Sequence, residues 1–282
     1  MELHDTIAGF RRALDSRRSS GQDVGLVPTM GALHAGHISL IERAVVENDV
    51  VAVTIFVNPL QFGAGEDLAS YPRDLDRDLA VAAEVGASAV FAPAVEEMYP
   101  EPIQTTVTVS GIGRALEAAS RPTHFAGVAT VVAKLFAIAG PCRAYFGEKD
   151  FQQLAVVRRM TADLSLPVEV VGCTTVREPD GLALSSRNVH LTPKQRAAAP
   201  VLQRALQAGA AAVAQGERRA AVVRRTVART VQTEPLIDLD YAEIVDAATL
   251  RRVDPLVGEL RLLVAARLGQ TRLIDNVSVL AG

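Results

Sequence analysis

Two imidazoles, His34 and His37, stand either side of Ala35-Gly36 at the end of the run Pro28-Thr29-Met30-Gly31-Ala32-Leu33. A Val- and Leu-rich stretch precedes this run and an apolar-periodic one follows it, so the order reads as strand, glycine-bounded loop and helix. The first turn of a helix presents unpaired N–H groups and the positive end of its dipole. It therefore favours phosphate, and Gly31 and Gly36 let backbone come close to one. Imidazoles placed there add donors to oxygens on which negative charge builds during phosphoryl transfer. Capping or packing is the alternative use of the same two rings.

Three further clusters carry chemistry. In Tyr145-Phe146-Gly147-Glu148-Lys149-Asp150-Phe151-Gln152-Gln153, a strand end again leads into a helix. Lys149 is a compact cation suited to phosphate, and Asp150 suits a ribose hydroxyl or magnesium. A solvated turn with an N-cap aspartate would use the same residues. In Asp180-Gly181-Leu182-Ala183-Leu184-Ser185-Ser186-Arg187-Asn188, two hydroxyls and a guanidinium suit the β and γ phosphates, or make an ordinary turn with a surface arginine. The run Ile55 to Gly63 sets Asn58, Gln61, Phe56 and Phe62 after a strand. Amides there suit a small substrate's hydroxyl and carboxylate groups, although Asn58-Pro59 also reads as a plain turn.

The elements that must hold these clusters alternate. Strands are expected over Val24 to Pro28, Val50 to Val57, Ala89 to Ala92, Ala144 to Gly147 and Val168 to Val171. Helices are expected over Ile38 to Glu47, Leu75 to Val85, Val128 to Ala139 and Phe151 to Leu164, with an earlier helix start at Asp5. The class is α/β, a Rossmann-like doubly wound parallel sheet whose ligands bind beyond the carboxyl ends of the strands. Past Val176 the texture changes to a smaller α+β domain. Thr192-Pro193-Lys194-Gln195 carries a capping box and opens one long helix running to near Gly216. An Arg-rich helix follows over Arg218 to Val231. Strands are then expected at Asp240 to Val245, Arg261 to Leu268 and Arg272 to Leu280. The division is taken as residues 1–176 and 177–282.

Bulk properties narrow the function. With 29 Lys and Arg against 32 Asp and Glu, the net charge of −3 gives no general pull toward nucleic acid or an anionic membrane. Arg218, Arg219, Arg224, Arg225 and Arg229 are read as an exposed helix face or dimer edge, not an RNA site. Cys142 and Cys173 lie far apart with no ligand partner at metal spacing, and are read as two buried thiols. No apolar run has the length of a membrane span and Met1 to Gly21 lacks a signal-peptide core, so the expectation is cytoplasmic.

Five runs, PTMGALHAGH, FVNPLQFGAGEDLASYPR, RPTHFAGV, YFGEKDFQQL and DGLALSSRN, occur in this order. Together they resemble the pantothenate synthetase family over nearly the whole chain. HxGH and SSR alone are shared with adenylyltransferases and class I aminoacyl-tRNA synthetases, so transfer of AMP to a phosphorylated nucleotide is the alternative. The resemblance implies a homodimer with a C-terminal lid and a magnesium-ATP requirement. It implies condensation of pantoate with β-alanine through pantoyl-adenylate. It further implies that Met30, Gly31, Ala32, Leu33, His34, Ala35, Gly36 and His37 line the ATP site, with His37 as proton donor. Gly147, Glu148, Lys149, Asp150, Val176, Leu184, Ser185, Ser186 and Arg187 match further ATP positions. His34, Lys149 and Arg187 share the charge stabilisation with His37. Gln61 and Gln153 match pantoate ligands, while Tyr71, Arg121 and His124 are assigned to the second substrate or to closure. Leu184 replaces the usual Met. Arg77 interrupts the usual acidic run at Asp74-Leu75-Asp76-Arg77-Asp78, so no protein metal ligand is expected.

Overall fold

The computed structural model describes residues 1–63, 68–114 and 116–282, which leaves residues 64–67 of the second family run outside the description. Contacts divide the described chain into two compact units, Met1–Glu148 with Gln152–Thr174, and Lys149–Phe151 with Thr175–Gly282.

The first unit starts with β1 (Glu2–His4) and α1 (Ile7–Ser19), followed by β2 (Val24–Thr29), α2 (Ala35–Glu47) and β3 (Val50–Ile55). Next come α3 (Leu75–Glu84), β4 (Ala89–Phe91), the short α4 (Val95–Met98) and α5 (Glu117–Ser120), and α6 (His124–Ala139). β5 (Cys142–Gly147), α7 (Phe151–Asp163) and β6 (Val168–Cys173) complete the sheet. The cap of α1 is Thr6, whose side chain accepts from Gly9 N, one residue later than the Asp5 start expected. β1 lies ahead of it, an edge strand too short to show any periodicity.

Among the described residues, six strands pair in the order β1-β4-β3-β2-β5-β6, and every pairing is parallel. The largely apolar texture of β2 and β3 follows from burial on both faces. Leu26 and Ala52 point into one cluster with Phe10, Leu14, Val132 and Phe136 of α1 and α6. Val27, Val51 and Val53 point into another with Ile41 and Ala44 of α2 and Ala82 of α3. Strand addition runs outward through β2, β3 and β4, then restarts on the other side of β2 with β5. Such a reversal marks where ligands bind, beyond the carboxyl ends. Met30 to His37 follow β2, and the turn carrying Lys149 follows β5.

The second unit contains α8 (Pro193–Ala198), α9 (Val201–Ala214) and α10 (Ala220–Val231), then the antiparallel β7 (Asp238–Asp246), β8 (Gly258–Leu268) and β9 (Thr271–Ala281). Leu202, Leu206, Val223 and Val227 of the helices pack with Leu262, Val264 and Ala266 of β8. The capping box forms as expected, Thr192 with Gln195. The single long helix expected behind it is instead two. Pro200 has no N–H to donate and its ring clashes with the carbonyl four residues back, so α8 stops at Ala198 and α9 restarts at Val201.

No helix among the described residues is long and apolar enough to cross a membrane. Of the two thiols, Cys173 is buried but Cys142 is only half-buried, and both are unbridged. The Arg-rich helix spends part of its charge internally: Arg224 pairs with Glu243 at 3.2 Å and Arg219 with Glu217 at 2.8 Å.

Candidate active site

The loop from Met30 to Leu33 leaves β2 in a conformation that few side chains tolerate. Gly31 has φ +85° and Ala32 φ +51°. A Cβ on Gly31 would also stand 2.8 Å from Asp78 Oδ2, so glycine is needed here both for its φ and for space. Asp78, on α3 and 1 % exposed, accepts from Ala32 N and Leu33 N at 2.8 Å each, one oxygen per N–H. Thr29 closes the other side: its hydroxyl accepts from Gly31 N at 3.1 Å and donates to Thr54 O at 2.7 Å. The loop backbone is thus pinned at three consecutive N–H groups before the histidines begin.

His34 caps α2 in an extended conformation, and its Nδ1 accepts from Gly36 N at 3.1 Å. An accepting Nδ1 carries no proton, so the neutral ring holds its hydrogen on Nε2 and presents that nitrogen as a donor. Capping and phosphate binding are therefore compatible in one residue. The rings of His34 and His37 lie 4.2 Å apart, centre to centre, at the N-terminal turn of α2. Two donors and a helix dipole at one point can receive an anionic oxygen.

Gln61 ends a 3-10 turn, Pro59–Gln61, and is held from every side. Asn58, 1 % exposed, donates to Gln61 Oε1 and to Gly127 O at 3.2 Å each. Its own Oδ1 accepts from Leu60 N at 3.3 Å and from the Tyr99 hydroxyl at 2.9 Å. All four valences of the buried amide are thereby used. Burial pushes the Tyr99 phenol up to about 12, so it remains a donor at neutral pH. Gln61 Oε1 is taken, and its Nε2 donates to Met30 Sδ at 2.9 Å. A thioether is a weak acceptor, so a ligand's carboxylate or hydroxyl oxygen can displace it. The turn lies tight on α6: a Cβ on Gly127 would come within 2.2 Å of Leu60 O.

Arg121 and His124, expected near the second substrate, meet on Gln61. His124 Nδ1 donates to Gln61 O at 2.9 Å, which leaves Nε2 to accept from Arg121 at 3.2 Å, and Arg121 also reaches Gln61 O at 3.3 Å. Tyr71 is buried with its ring edge-on to Phe62, 6.1 Å between centres. Gln153 is half-buried; its neighbour Gln152 is the buried one, bonding Ile112 O at 2.8 Å and Glu117 N at 3.1 Å.

In the second unit, Lys149 and Ser185 line one pocket with Ala183, Asn188, Ile274 and Asp275. Lys149 Nζ lies 3.5 Å from Asp150 Oδ1, its side chain mostly covered. Ser185 caps the turn Ser186–His190 by accepting from Arg187 N at 3.3 Å, and Asn188 secures the loop by donating to Ala183 O at 3.1 Å. Leu184 N bonds Val176 O at 3.0 Å, which brings those two expected nucleotide positions together across a hairpin. Gly147 ends β5 and Glu148 opens the 3-10 turn behind it, both in the first unit.

Sequence reasoning gave no role to Thr29 or Tyr99 and weighed Asp78 only within an acidic run. A spacing of 45 residues separates Asp78 from Leu33, and only the tertiary fold joins them. The one local sign is an aspartate in the first turn of an otherwise amphipathic helix. Among the described residues, no group of three His, Cys, Asp or Glu side chains forms a metal cluster.

A doubly wound parallel sheet with an HxGH loop between its central strand and the next helix defines a nucleotide-using α/β enzyme of the HxGH class. Comparison with known proteins identifies the member of that class: a sequence profile of pantoate-beta-alanine ligase matches residues 2–278, and the chain belongs to this family of amide-forming ligases. Pantothenate synthetase of Moorella thermoacetica is 54% identical over 277 residues, 98% of each chain. That of Rhizobium meliloti is 51% identical, covering 98% of this chain and 95% of the relative. The crystal structure of pantothenate synthetase from Thermus thermophilus superposes with a TM-score of 0.94 at 52% identity, over 99% of this chain and 100% of that one. The ligase from Francisella tularensis, solved in complex with beta-gamma ATP and beta-alanine, superposes with a TM-score of 0.80 at 34% identity, over 98% and 97%.

Proposed function

We propose that the protein joins pantoate to β-alanine at the expense of ATP through a pantoyl-adenylate. The observation that carries this reading is the imidazole pair on the first turn of α2, with its loop pinned by Asp78 and Thr29. Family membership supplies the substrates.

A carboxylate is a poor acyl donor, because oxide would have to leave. In the first half-reaction a pantoate oxygen attacks the α-phosphorus in line and the electron pair of the breaking P–O bond departs with pyrophosphate. In the second, the amine nitrogen of β-alanine attacks the acyl carbon, and AMP leaves with the C–O electrons as the nitrogen loses a proton. No enzyme nucleophile is required. Catalysis then rests on positioning and charge stabilisation.

In this scheme Met30 to His37 bind ATP, with His34 Nε2–H and His37 donating to phosphate oxygens. Lys149 and Arg187 offset triphosphate charge, aided by Ser185 and Ser186. Gly147, Glu148, Asp150, Val176 and Leu184 complete the nucleotide contacts. Gln61 and Gln153 bind pantoate. Arg121, His124 and Tyr71 act by holding Gln61 and Phe62 in place. Magnesium accompanying ATP would serve to offset phosphate charge, and no protein ligand is assigned to it. Work in the cytoplasm as a homodimer belongs to the same proposal. Transfer of AMP to a phosphorylated nucleotide is the weaker reading, since Gln61 Nε2, set by Asn58 and opposed by the weakly accepting Met30 Sδ, suits an oxygen of a small hydroxy acid.

The division of roles is testable in two variants. Lys149→Ala should raise KM for ATP and lower kcat, with KM for pantoate little changed. Gln61→Ala should raise KM for pantoate by roughly tenfold or more, the scale of losing one to two hydrogen bonds to a charged group, with ATP use largely kept. Matching kinetic profiles for the two variants would refute the division.

A further inference from the structure

Strand β9 holds the turn that carries Lys149. Asn276 donates through Nδ2 to Lys149 O at 2.9 Å. Its neighbour Asp275 receives both terminal nitrogens of Arg177, at 2.7 and 2.9 Å, a bidentate pair in which the carboxylate is 4 % exposed. Asp275 Oδ1 also accepts from Asn276 N at 2.7 Å, so the two residues are locked together. From the other end, Arg177 donates to Gly181 O at 3.0 Å and pairs across the hairpin with Ala183. That hairpin runs straight into Ser185, Ser186 and Arg187. Two residues beyond Lys149, the Phe151 ring lies 3.8 Å beneath the guanidinium carbon of Arg261 on β8. Asn276 pairs with Leu263, two positions from Arg261, so both holds on residues 149–151 come from one face of the sheet.

None of these bonds is made by a side chain assigned to a substrate, yet they set where two such side chains stand. A short turn between a strand and a helix has several available paths, and here its middle is tied by a buried amide and a stacked guanidinium. We infer that Asn276 is a positioning residue for Lys149, and that with the Asp275–Arg177 pair it sets the lysine and the Ser185–Arg187 loop in one frame. The inference rests on the reading that Lys149 serves the nucleotide.

Asn276→Ala and the near-isosteric Asn276→Asp both remove the donor. Each should lower kcat/KM for ATP by about tenfold to a hundredfold, the scale of a small misplacement of a charge stabiliser, while KM for β-alanine holds. In a Lys149→Ala background the same substitutions should cost almost nothing more, because the group being aimed is gone. A residue that merely braced its unit would instead subtract the same factor in both backgrounds. Thermal melts accompany each variant; if the alanine form does not fold, the aspartate form decides. Unchanged ATP use in a folded Asn276 variant, or equal losses with and without Lys149, would overturn the inference. Intact ATP use in Lys149→Ala alone would instead overturn the role given to the lysine, a separable result that takes this inference with it.

Discussion

Replacing His37 by alanine is expected to lower kcat by about 10² to 10³, the loss seen when one preorganised donor to a developing charge is removed. Folding should change little. The ring sits on the first turn of α2 and is not one of the apolar side chains that fill the core between α2 and the sheet, where Leu40, Ile41 and Ala44 do that work. Nor does His37 supply the helix cap, which is His34 Nδ1 on Gly36 N. The paired variant separates two roles: His34→Ala should reduce turnover and also cost about 0.5–2 kcal/mol of stability through the lost cap. Steady-state kinetics with a thermal melt on each protein checks both statements. Wild-type turnover in His37→Ala would remove the imidazole from the mechanism.

The second large effect is expected from a side chain that is assigned no substrate of its own. Asp78→Asn keeps the shape of the side chain but turns one acceptor into an NH2 group that faces a backbone N–H. Either Ala32 N or Leu33 N is then buried without a partner, at a cost of about 1–3 kcal/mol, and the loop must shift to relieve it. A displacement near 1 Å at the phosphate-facing backbone is enough for about a hundredfold loss in turnover. The expected result is therefore a lower unfolding midpoint together with a fall in kcat/KM for ATP of about 10²-fold. A stable, folded Asp78→Asn protein with normal ATP use would show that the loop needs no such anchor.

Asp78 also shows where sequence reasoning ends. The HxGH loop was legible because its chemistry is local: a glycine-bounded link between an apolar run and a periodic one places both histidines at a helix start whatever the rest of the chain does. The central strands were legible for the same reason, since burial on both faces writes itself into consecutive Val, Ile and Ala residues. The acidic run around Asp78 was weighed only as a metal ligand, because a carboxylate that bonds two N–H groups 45 and 46 residues away leaves no periodic trace. Arg121 and His124 were assigned to substrate or closure; the bonds they make to the Gln61 backbone and to each other were not legible, because an Arg and a His look alike in sequence whatever carbonyl they reach. The break at Pro200 was legible and missed, because the Ala-rich periodicity on either side outweighed a single residue that cannot continue a helix.

Across the unit holding β9, the same principle recurs. Asn276 and Lys149 O are 127 residues apart, and neither residue type predicts the other. What the sequence does reveal is the chemistry each cluster can do; what the fold adds is the set of buried amides and carboxylates that hold those clusters still.

The order in which products appear tests the pantoyl-adenylate route most directly. Purified protein is given ATP, Mg²⁺, pantoate and β-alanine, each omitted in turn, and the products are read by mass spectrometry. With only β-alanine omitted, pyrophosphate and an enzyme-held pantoyl-adenylate should form, and release of AMP with the amide product should require β-alanine. ADP and phosphate in place of AMP and pyrophosphate, or AMP joined to a second nucleotide with no need for an amine, would contradict it.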